Sequence, residues 1–276
     1  MIKGKVRNIQ IIDKNTLSIT TTNRQSAFNK IICEIENKGL IQTLFTDFWF
    51  NKTKHIINNH VIKSYDNVLI AKKCNVIPVE FVIRNYITGT TETSIWYNYN
   101  KGNRLFCGNV LKDNLKKNQK IDLIITPTFK SDKDESTSYD EILKNNIINK
   151  NELDFIYKKC FELFNFVSSK CLEKNIILVD TKLEFGKDNN DNIILIDECF
   201  TFDSSRYWNV EDYNYCFNNN LEPKSLDKDV LRKYVNSVCN PYVDNIPVIP
   251  EEIKKNVFDN YYNLVNNFID LNEIVK

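Results

Sequence analysis

A strict alternation of charged and uncharged side chains over residues 179–185 constrains the fold more than any other feature of this chain. Side chains alternate between the two faces of a β-strand, and residues two apart lie roughly 6.6 Å apart on the same face. Asp180, Lys182 and Glu184 therefore form one charged row. The other face is expected to flank or enter the core, and it carries Val179, Leu183 and Phe185.

The residues that follow this strand predict a hairpin. Residues 186–192 are rich in types that turn a chain, and Ile193–Ile196 has the composition of a return strand. Asp197 and Glu198 at its end can then face the charged row. Mg²⁺ takes oxygen ligands, usually one or two carboxylates completed by water and substrate phosphates. Glu184 and Asp197 are therefore candidate magnesium ligands.

Cationic side chains accompany these carboxylates. Lys182 is a compact positive charge suited to a phosphoryl oxygen or a substrate carboxylate. The segment Asp203–Arg206 follows closely and supplies an arginine, whose planar donor fork suits the same groups. An antiparallel hairpin with one solvated charged face shows the same alternation, so the pattern alone leaves a purely structural hairpin open. The nearby arginine favours a binding site.

Composition excludes several classes of protein. The chain has 276 residues, enough for one large or two smaller domains, and 37 basic and 36 acidic residues leave a formal net charge of +1. This balance gives no general attraction to nucleic acid or to an anionic membrane. With only two histidines, His55 and His60, a multi-histidine metal site is excluded. We expect small-molecule substrates and either a monomer or a small homo-oligomer.

Cysteine spacing and apolar runs bear on location. The eight cysteines never form a Cys-x-x-Cys pair and no signal peptide precedes them, which is typical of reduced thiols in the cytoplasm. No apolar run approaches the roughly 18 residues that a membrane span needs. We therefore expect a soluble, cytoplasmic protein.

The six glycines form neither G-x-G-x-x-G nor a P-loop, so a nucleotide would have to be bound in another way. Residues 4–22 offer one, because a glycine enters a strand, Asp13–Asn15 has turn composition, and a β-branched return strand follows. Such a hairpin can fold over phosphates with Lys5 and Arg7 on one face. A solvated basic strand gives the same pattern.

The remaining segments predict a mixture of strands and helices. Residues 1–74 are expected to be β-rich with one helix at about residues 39–60, and residues 69–84 to form two strands with a short link at Lys73–Val76. Apolar stripes at helical spacing, and residues typical of helix ends, predict helices at residues 151–174, 227–238 and 250–269. Asparagine-rich stretches predict loops at residues 145–151 and 214–220.

Several segments, taken in order, carry a resemblance to a known family. They are Gly4–Arg7, Arg24–Ala27, Ile77–Gly89, Thr126–Thr128 with Lys130, Asp180–Gly186, Asp197–Glu198 and Asp203–Arg206. Through them the chain resembles the SAICAR synthetase family over nearly its whole length. The resemblance implies an α+β fold with a kinase-like, antiparallel, β-rich N-terminal domain (residues 1–74), a larger α+β domain (residues 75–276), and ATP in the cleft between them.

The resemblance also implies a reaction. Members of this family join the carboxylate of carboxyaminoimidazole ribotide (CAIR) to the amine of L-aspartate in purine biosynthesis, and ATP is converted to ADP and phosphate. We therefore expect a carbon–nitrogen ligase with ATP as co-substrate and Mg²⁺ as cofactor. Phosphoryl transfer depends on positioning and charge neutralisation, which agrees with a site of lysines, arginines and carboxylates.

Carried onto this sequence, the resemblance implies three groups of site residues. The residues expected at ATP are Gly4, Lys5, Val6, Arg7, Lys73 and Val76. Those expected at the substrates are Asn29, Arg84, Thr90, Lys130, Asp134, Ser204, Ser205 and Arg206. The catalytic group consists of Asp180, Lys182 and the two metal ligands Glu184 and Asp197.

The chain departs from the family pattern at a few positions. Asparagine replaces the usual aspartate at Asn8, Asn23 and Asn29, Phe202 replaces a proline, and Lys133 stands close to where histidine is common. Two alternatives therefore stay open: a kinase or ligase of the same fold with another acceptor, and a catalytically silent nucleotide-binding protein. The presence of both Arg84 and Arg206 favours the ribotide.

Overall fold

The computed structural model describes residues 1–91, 93–130, 135–272 and 274. Mixed secondary structure with antiparallel sheets confirms the α+β class. The helices are α1 (Lys38–Thr53), α2 (Ile95–Asn100), α3 (Tyr139–Lys144), α4 (Lys150–Leu172), α5 (Val210–Asn218), α6 (Asp229–Val238) and α7 (Glu251–Asn266). Among the described residues, no helix is both long enough and apolar enough to cross a membrane.

The N-terminal part of the chain forms a five-stranded antiparallel sheet in the order β1-β2-β3-β7-β6. Its strands are β1 (Ile2–Lys3), β2 (Arg7–Ile11), β3 (Thr16–Thr21), β6 (Val61–Tyr65) and β7 (Val68–Lys72). The hairpin predicted for residues 4–22 is confirmed, and in its turn the Asp13 carboxylate accepts a 2.7 Å hydrogen bond from the Asn15 N–H. A separate hairpin follows, made of β4 (Arg24–Ala27) and β5 (Lys30–Glu34).

A second antiparallel sheet carries the charged row, and it runs in the order β11-β8-β12-β13 with β14 also paired to β12. Its strands are β8 (Asn75–Tyr86), β11 (Lys120–Phe129), β12 (Ile176–Lys187), β13 (Ile193–Ile196) and β14 (Ser205–Asn209), while β9 (Leu105–Phe106) and β10 (Asn109–Val110) form a small hairpin apart. The predicted hairpin is confirmed as β12–β13. Arg84 lies opposite Asp180, and Glu80 lies opposite Glu184. Opposite residues share a face, so this register gathers the charges of β8 and β12 on one side.

The link between the two sheets is shorter than predicted. Two strands flank it as expected, but β7 belongs to the first sheet and β8 to the second. Only Lys73 and Cys74 connect them, because Val76 already pairs with Gly186 inside β8. The two sheets thus separate near residue 74, and the domain boundary placed there stays a prediction.

The loop predicted at residues 214–220 is wrong over its first part, since α5 continues to Asn218. The side chain of Asn209 caps this helix by accepting hydrogen bonds from the N–H groups of Glu211 and Asp212. Two of the helix residues, Tyr213 and Cys216, are buried. Capping and burial outweigh the low intrinsic helix propensity of asparagine.

The main apolar core lies between the second sheet and helices α1, α4 and α7. Helix α4 begins with a capping box between Asn149 and Glu152 and buries the stripe that its periodicity predicted, including Ile156 and Phe164. The helices predicted at residues 151–174, 227–238 and 250–269 are confirmed as α4, α6 and α7, and the helix near residues 39–60 as the shorter α1. Helix α1 belongs to this core through side chains such as Phe45 and Trp49. Each of the eight cysteines has a free thiol.

Candidate active site

The charged face of β12 is buried beneath a cleft. Asp180 and Glu184 are only 4% and 3% exposed, and the other face places Leu183 and Phe185 in the main core. The row is therefore not the solvated face of a structural hairpin. We call the charged residues of the two central strands the floor: Glu80, Arg84, Asp180, Lys182 and Glu184.

Lys182 is held at the centre of the floor by two carboxylates. Its Nζ lies 2.6 Å from Oε1 of Glu80 and 2.9 Å from Oε1 of Glu184. The exposed Lys130 forms a further ion pair with Glu184 from the edge of the sheet. Burial favours a neutral amine, but the charges of Glu184, Glu80 and Asp197 outweigh burial and raise the pKa of Lys182 above its ordinary value. Lys182 is therefore a fixed positive charge rather than a proton acceptor.

A second charged group lies further along the floor, around Asp180. This carboxylate forms an ion pair with Arg206 of β14, and Oδ2 lies 3.6 Å from Nη1 of Arg84. Arg84 is oriented by a 3.0 Å hydrogen bond that its Nε donates to Oγ1 of Thr126. Burial favours a neutral guanidinium, but the charges of Asp180, Asp229 and Asp227 together outweigh burial and raise the pKa of Arg206. Two guanidinium groups therefore converge on one carboxylate.

Asp197 directly follows β13 and has a left-handed backbone conformation, with φ of 67°. Arg7, from the start of β2, forms ion pairs with both Asp197 and Glu198 and so ties the two sheets together. Burial would raise the pKa of the Asp197 carboxyl, but the charges of Arg7 and Lys182 hold it well below its usual range. Asp197 is therefore an ionised carboxylate at the side of the floor, as predicted. Arg7 contacts these carboxylates instead of standing free for a phosphate.

The N-terminal strands reach the cleft through an exposed contact that we call the rim, formed by Lys5 and Asn29. Nζ of Lys5 donates a 3.0 Å hydrogen bond to Oδ1 of Asn29. Arg24 fixes the connection between β1 and β2 by donating to the carbonyl oxygens of Gly4 and Lys5. Phe28 and Asn29 form the two-residue turn between β4 and β5 with φ of 52° and 60°, and asparagine tolerates this left-handed conformation better than most residues.

A tight turn at Thr201–Ser204 positions the residues before β14. The Ser205 N–H donates to the Thr201 carbonyl, 2.9 Å, and the hydroxyl of Ser205 lies 2.8 Å from that of Thr181 on β12. Asp203 in this turn is buried and accepts a 2.8 Å hydrogen bond from Lys38. Burial would raise the pKa of the Asp203 carboxyl, but Lys38 and Lys228 lower it below its usual range.

The structure brings most of the predicted site residues together. A cleft of about 400 Å³ is lined by Lys5, Asn29, Arg84, Asp180, Lys182, Ser204, Ser205 and Arg206 from the prediction. Thr90 lines an adjoining cavity of about 530 Å³ that shares Arg206 and Arg232 with the first. Glu184, Asp197 and Lys130 lie beside the cleft, where each is tied to the charged groups described above.

The remaining predicted residues lie apart from this cleft. Gly4 and Val6 flank Lys5 in the connection between β1 and β2, and Arg7 begins β2. Val6 is held by a 2.8 Å hydrogen bond from the Thr22 hydroxyl to its carbonyl. Lys73 and Val76 are exposed near the link between the sheets. Asp134 and Lys133 lie outside the described residues.

Known proteins resemble this chain over most of its length. The family model of SAICAR synthetase matches residues 1–249. The chain is 46% identical over 255 residues to the chloroplastic phosphoribosylaminoimidazole-succinocarboxamide synthase of Vigna aconitifolia, covering 91% of this chain and 74% of that protein. The enzyme of the same name from Legionella pneumophila (strain Lens) is 40% identical over 266 residues, covering 95% and 85% respectively. The chain belongs to the SAICAR synthetase family.

Solved structures of the family share the fold. The SAICAR synthase of Saccharomyces cerevisiae, complexed with SAICAR, superposes with a TM-score of 0.82 at 27% identity, covering 96% of this chain and 93% of that one. The resemblance seen in the sequence is therefore confirmed. This SAICAR synthetase family member is an ATP-dependent carbon–nitrogen ligase of purine biosynthesis, and neither a different acceptor nor a silent binding protein is favoured.

The site of this SAICAR synthetase family member contains residues that sequence reasoning missed. Lys228 and Arg232 line the cleft from the start of α6, and Glu80 lines it from β8. The sequence contained a signal for Lys228 and Arg232. They are two basic residues four positions apart in a predicted helix, and such residues lie on one face of the helix. Glu80 could be recognised only once β8 was paired with β12, since its partner Lys182 lies in the neighbouring strand.

Proposed function

We propose that the cleft above the floor is the active site in which CAIR is joined to L-aspartate. The observation that carries this proposal is the arrangement of the floor itself. A lysine held between two carboxylates lies beside two arginines that converge on Asp180. These are separate positions for a reacting carboxylate and for a phosphate, on one rigid sheet.

The ribotide phosphate is assigned to Arg84, Arg206 and Thr90. Arginine binds phosphate through paired donors, and both guanidinium groups face the cleft. Asp180 holds the two arginines and is placed to accept hydrogen bonds from ribotide hydroxyls. Ser204 and Ser205 line the same wall.

The reacting carboxylate of CAIR is assigned to Lys182. In this scheme a carboxylate oxygen attacks the γ-phosphorus of ATP, ADP leaves, and an acyl phosphate forms. The amine of L-aspartate then attacks the acyl carbon, inorganic phosphate leaves, and the amide results. Lys182 keeps its charge throughout because its pKa is raised, so it neutralises the carboxylate and the transferred phosphoryl group without exchanging a proton. Such fixed charges act strongly in a site from which water is excluded.

The ATP phosphates are assigned to Gly4–Val6 between β1 and β2, with Arg7 holding Asp197 beside them, and the nucleoside to the link at Lys73–Val76. The donor set fits Mg²⁺. The charges of Glu184 and Asp197 both raise the pKa of Lys182, so both carboxylates lie near its ammonium group. Magnesium usually binds one or two carboxylates and completes its shell with water and phosphates. The described residues hold no group of three or more histidine, cysteine or acidic side chains able to bind a metal by themselves. Glu184 and Asp197 would hold the ion, which would neutralise phosphate charge when bound.

L-Aspartate is assigned to the wall formed by α6. A dicarboxylic substrate needs cationic partners that the protein's own carboxylates do not already saturate. Nζ of Lys228 is 3.9 Å from Oδ1 of Asp203, and Nη1 of Arg232 is 3.7 Å from Oδ1 of Asp229. These are looser contacts than those of Lys182, so both cations have capacity for a substrate carboxylate.

The test is ADP release with each substrate omitted in turn. We expect ADP only when ATP, Mg²⁺, CAIR and L-aspartate are all present, because phosphorylation and amide formation are coupled. Substantial ADP release with another carboxylate in place of CAIR would contradict the assigned acceptor. ATP binding without turnover under any condition would contradict catalysis at this cleft.

Two predictions made from the sequence remain predictions. One is a location in the cytoplasm, and the other is a monomer or small homo-oligomer. Sedimentation of the purified protein over a range of concentrations measures the second directly.

A further inference from the structure

Helix α7 contacts the substrate-binding turn through a pair of stacked rings. Tyr261 of α7 and Phe202 of the turn are fully buried, with ring centroids 3.9 Å apart and planes inclined by 9°. Phe202 directly precedes the residues that line the cleft. The family model matches residues 1–249, so Tyr261 lies beyond the segment that this model describes.

A path of buried hydrogen bonds runs beside the stacked rings. The Tyr261 hydroxyl donates to Oε1 of Gln25, 3.0 Å, and Nε2 of Gln25 donates to Oδ1 of Asp203, 3.0 Å. The other oxygen of Asp203 accepts from the fully buried Lys38. Burial raises the pKa of Tyr261 well above its ordinary value, so the hydroxyl keeps the proton that it donates.

The direction of these bonds matters because a glutamine side chain has an acceptor end and a donor end. The Tyr261 hydroxyl occupies the acceptor end of Gln25 and so turns the donor end toward Asp203. Without that hydroxyl, a rotated Gln25 would present its oxygen to the Asp203 carboxylate, which is repulsive. The Ser26 carbonyl, 3.3 Å from Nε2 of Gln25, and Asp203 favour the same orientation of the amide. The hydroxyl reinforces this orientation and, through it, one position of Asp203.

We infer that Tyr261 is a positioning residue for ribotide binding, acting through Gln25 and Asp203 on the turn that presents Ser204, Ser205 and Arg206. This inference rests on the proposed function, in which those three residues contact the ribotide. Helix α7 would then contribute to the affinity for the ribotide as well as to the apolar core. It also predicts selectivity, because the ATP phosphates are assigned to the opposite side of the cleft, beside Asp197.

The main test is Tyr261→Phe, which keeps the stacked ring and removes only the hydroxyl. Leaving a buried acceptor without its donor lowers kcat/KM for CAIR by roughly 5- to 30-fold. We expect this loss mainly as a higher KM for CAIR. The KM for ATP should change by less than about two-fold, which is under about 0.4 kcal/mol. The matched control is Tyr262→Phe, since the hydroxyl of Tyr262 donates instead to Asn272 near the end of the chain, 3.0 Å. The control should match the unmodified protein.

A double-variant cycle tests whether the hydroxyl acts through Gln25. In the Gln25→Leu background there is no amide to orient, so adding Tyr261→Phe should have little further effect on the KM for CAIR. If the two substitutions instead raise the KM for CAIR by factors that multiply in the double variant, Tyr261 acts by another route. That result would overturn the inference. Melting temperatures of all variants separate a loss of folded protein from a loss of affinity.

Arg206→Ala separates a failure of the inference about Tyr261 from a failure of the proposed ribotide site. If Arg206→Ala raises the KM for CAIR while Tyr261→Phe lowers only the melting temperature, Tyr261 is merely structural and the inference fails. If neither variant changes the KM for CAIR, the proposed ribotide site fails and the inference fails with it. A selective rise in that KM for both variants, and not for Tyr262→Phe, supports both.

Discussion

The floor and the rim of the cleft are built in different ways. The floor consists of five charged residues on two paired strands of one sheet, with side chains buried or partly buried and tied in ion pairs. The rim consists of Lys5 and Asn29, two exposed side chains from separate segments that share one hydrogen bond of 3.0 Å. The floor is held in place before any substrate binds, whereas the rim is free to rearrange around one.

This difference has energetic consequences. Removing one partner of a buried ion pair costs about 3 to 5 kcal/mol, because the other charge stays buried without compensation. An exposed hydrogen bond contributes about 1 kcal/mol or less, because water replaces either partner. Substitutions in the floor should therefore lower activity or stability strongly, and substitutions in the rim should change catalytic efficiency only slightly. The predictions below test this ranking.

The largest effect is expected for Lys182→Met, which keeps the length of the side chain and removes the central charge. We expect kcat/KM to fall by about a thousand-fold, in the range found when a fixed transition-state charge contact is removed. The melting temperature should also fall, because Glu80 and Glu184 are left facing each other. Steady-state kinetics and thermal unfolding measure the two effects.

Lys187→Met is the matched control for this variant. Lys187 ends the same strand and pairs with Glu152, 2.5 Å, but lies away from the cleft. Activity close to that of the unmodified protein is expected. Equal losses for the two lysine variants would mean that the floor has no special role.

An intermediate effect is expected for Arg206→Ala and for Arg84→Ala. A lost charged hydrogen bond to phosphate costs about 1.5 to 3 kcal/mol, or roughly ten- to a hundred-fold in affinity. This loss should raise the KM for CAIR and leave kcat comparatively unchanged, since binding is lost equally in ground and transition states. Arg104→Ala is the control, because Arg104 pairs with the exposed Asp113 outside the cleft. A rise in the KM for ATP instead of CAIR would contradict the assignment.

A smaller, pH-dependent effect is expected at the α6 wall. Burial lowers the pKa of Lys228 to about 8, so the ammonium is present below that pH and is lost as the pH rises through it. If Lys228 binds a carboxylate of L-aspartate, kcat/KM for L-aspartate should fall about ten-fold per pH unit above 8. Lys228→Arg should abolish this fall, because arginine keeps its charge. The substrate amine titrates identically in both proteins, so an unchanged profile in Lys228→Arg would exclude this role.

The smallest effect is expected at the rim. Asn29→Asp adds a carboxylate beside Lys5, and exposed ion pairs contribute little. The reaction should stay the same, and kcat/KM for CAIR should change by about ten-fold or less, the difference between a neutral and a charged hydrogen bond. Kinetics of both forms measure it. A protein that forms product only after Asn29→Asp would show that the rim, and not the floor, limits catalysis.

The sequence predicted the floor better than the rest of the site, for a physical reason. Alternation along β12 depends only on strand geometry, so Asp180, Lys182 and Glu184 were recognised as one row without any tertiary information. Helix α4 was predicted for the same reason, because its apolar stripe repeats at the period of a helix. Prediction was wrong for the end of α5, where a side-chain cap and burial override residue propensity.

The family resemblance extended the prediction to residues from distant segments. It named Arg84, Ser204, Ser205 and Arg206, and the structure places all of them at one cleft. It did not name Lys228 or Arg232, nor the carboxylate partner that holds Lys182 from β8. The Asn29 departure has no structural explanation, because the left-handed turn that holds this residue accepts aspartate as well.

By itself, the sequence determined the elements and the chemistry: a charged strand, a turn, a return strand and the types of side chain that a phosphoryl-transfer site needs. These features are local, because strand and helix periods are set by the backbone within a few residues. Only the tertiary structure decided which charges meet. Arg7 reaches Asp197 across 190 residues of chain, and Tyr261 reaches Gln25 across 236. Contacts between such distant segments depend on how sheets and helices pack, and no local pattern encodes that packing.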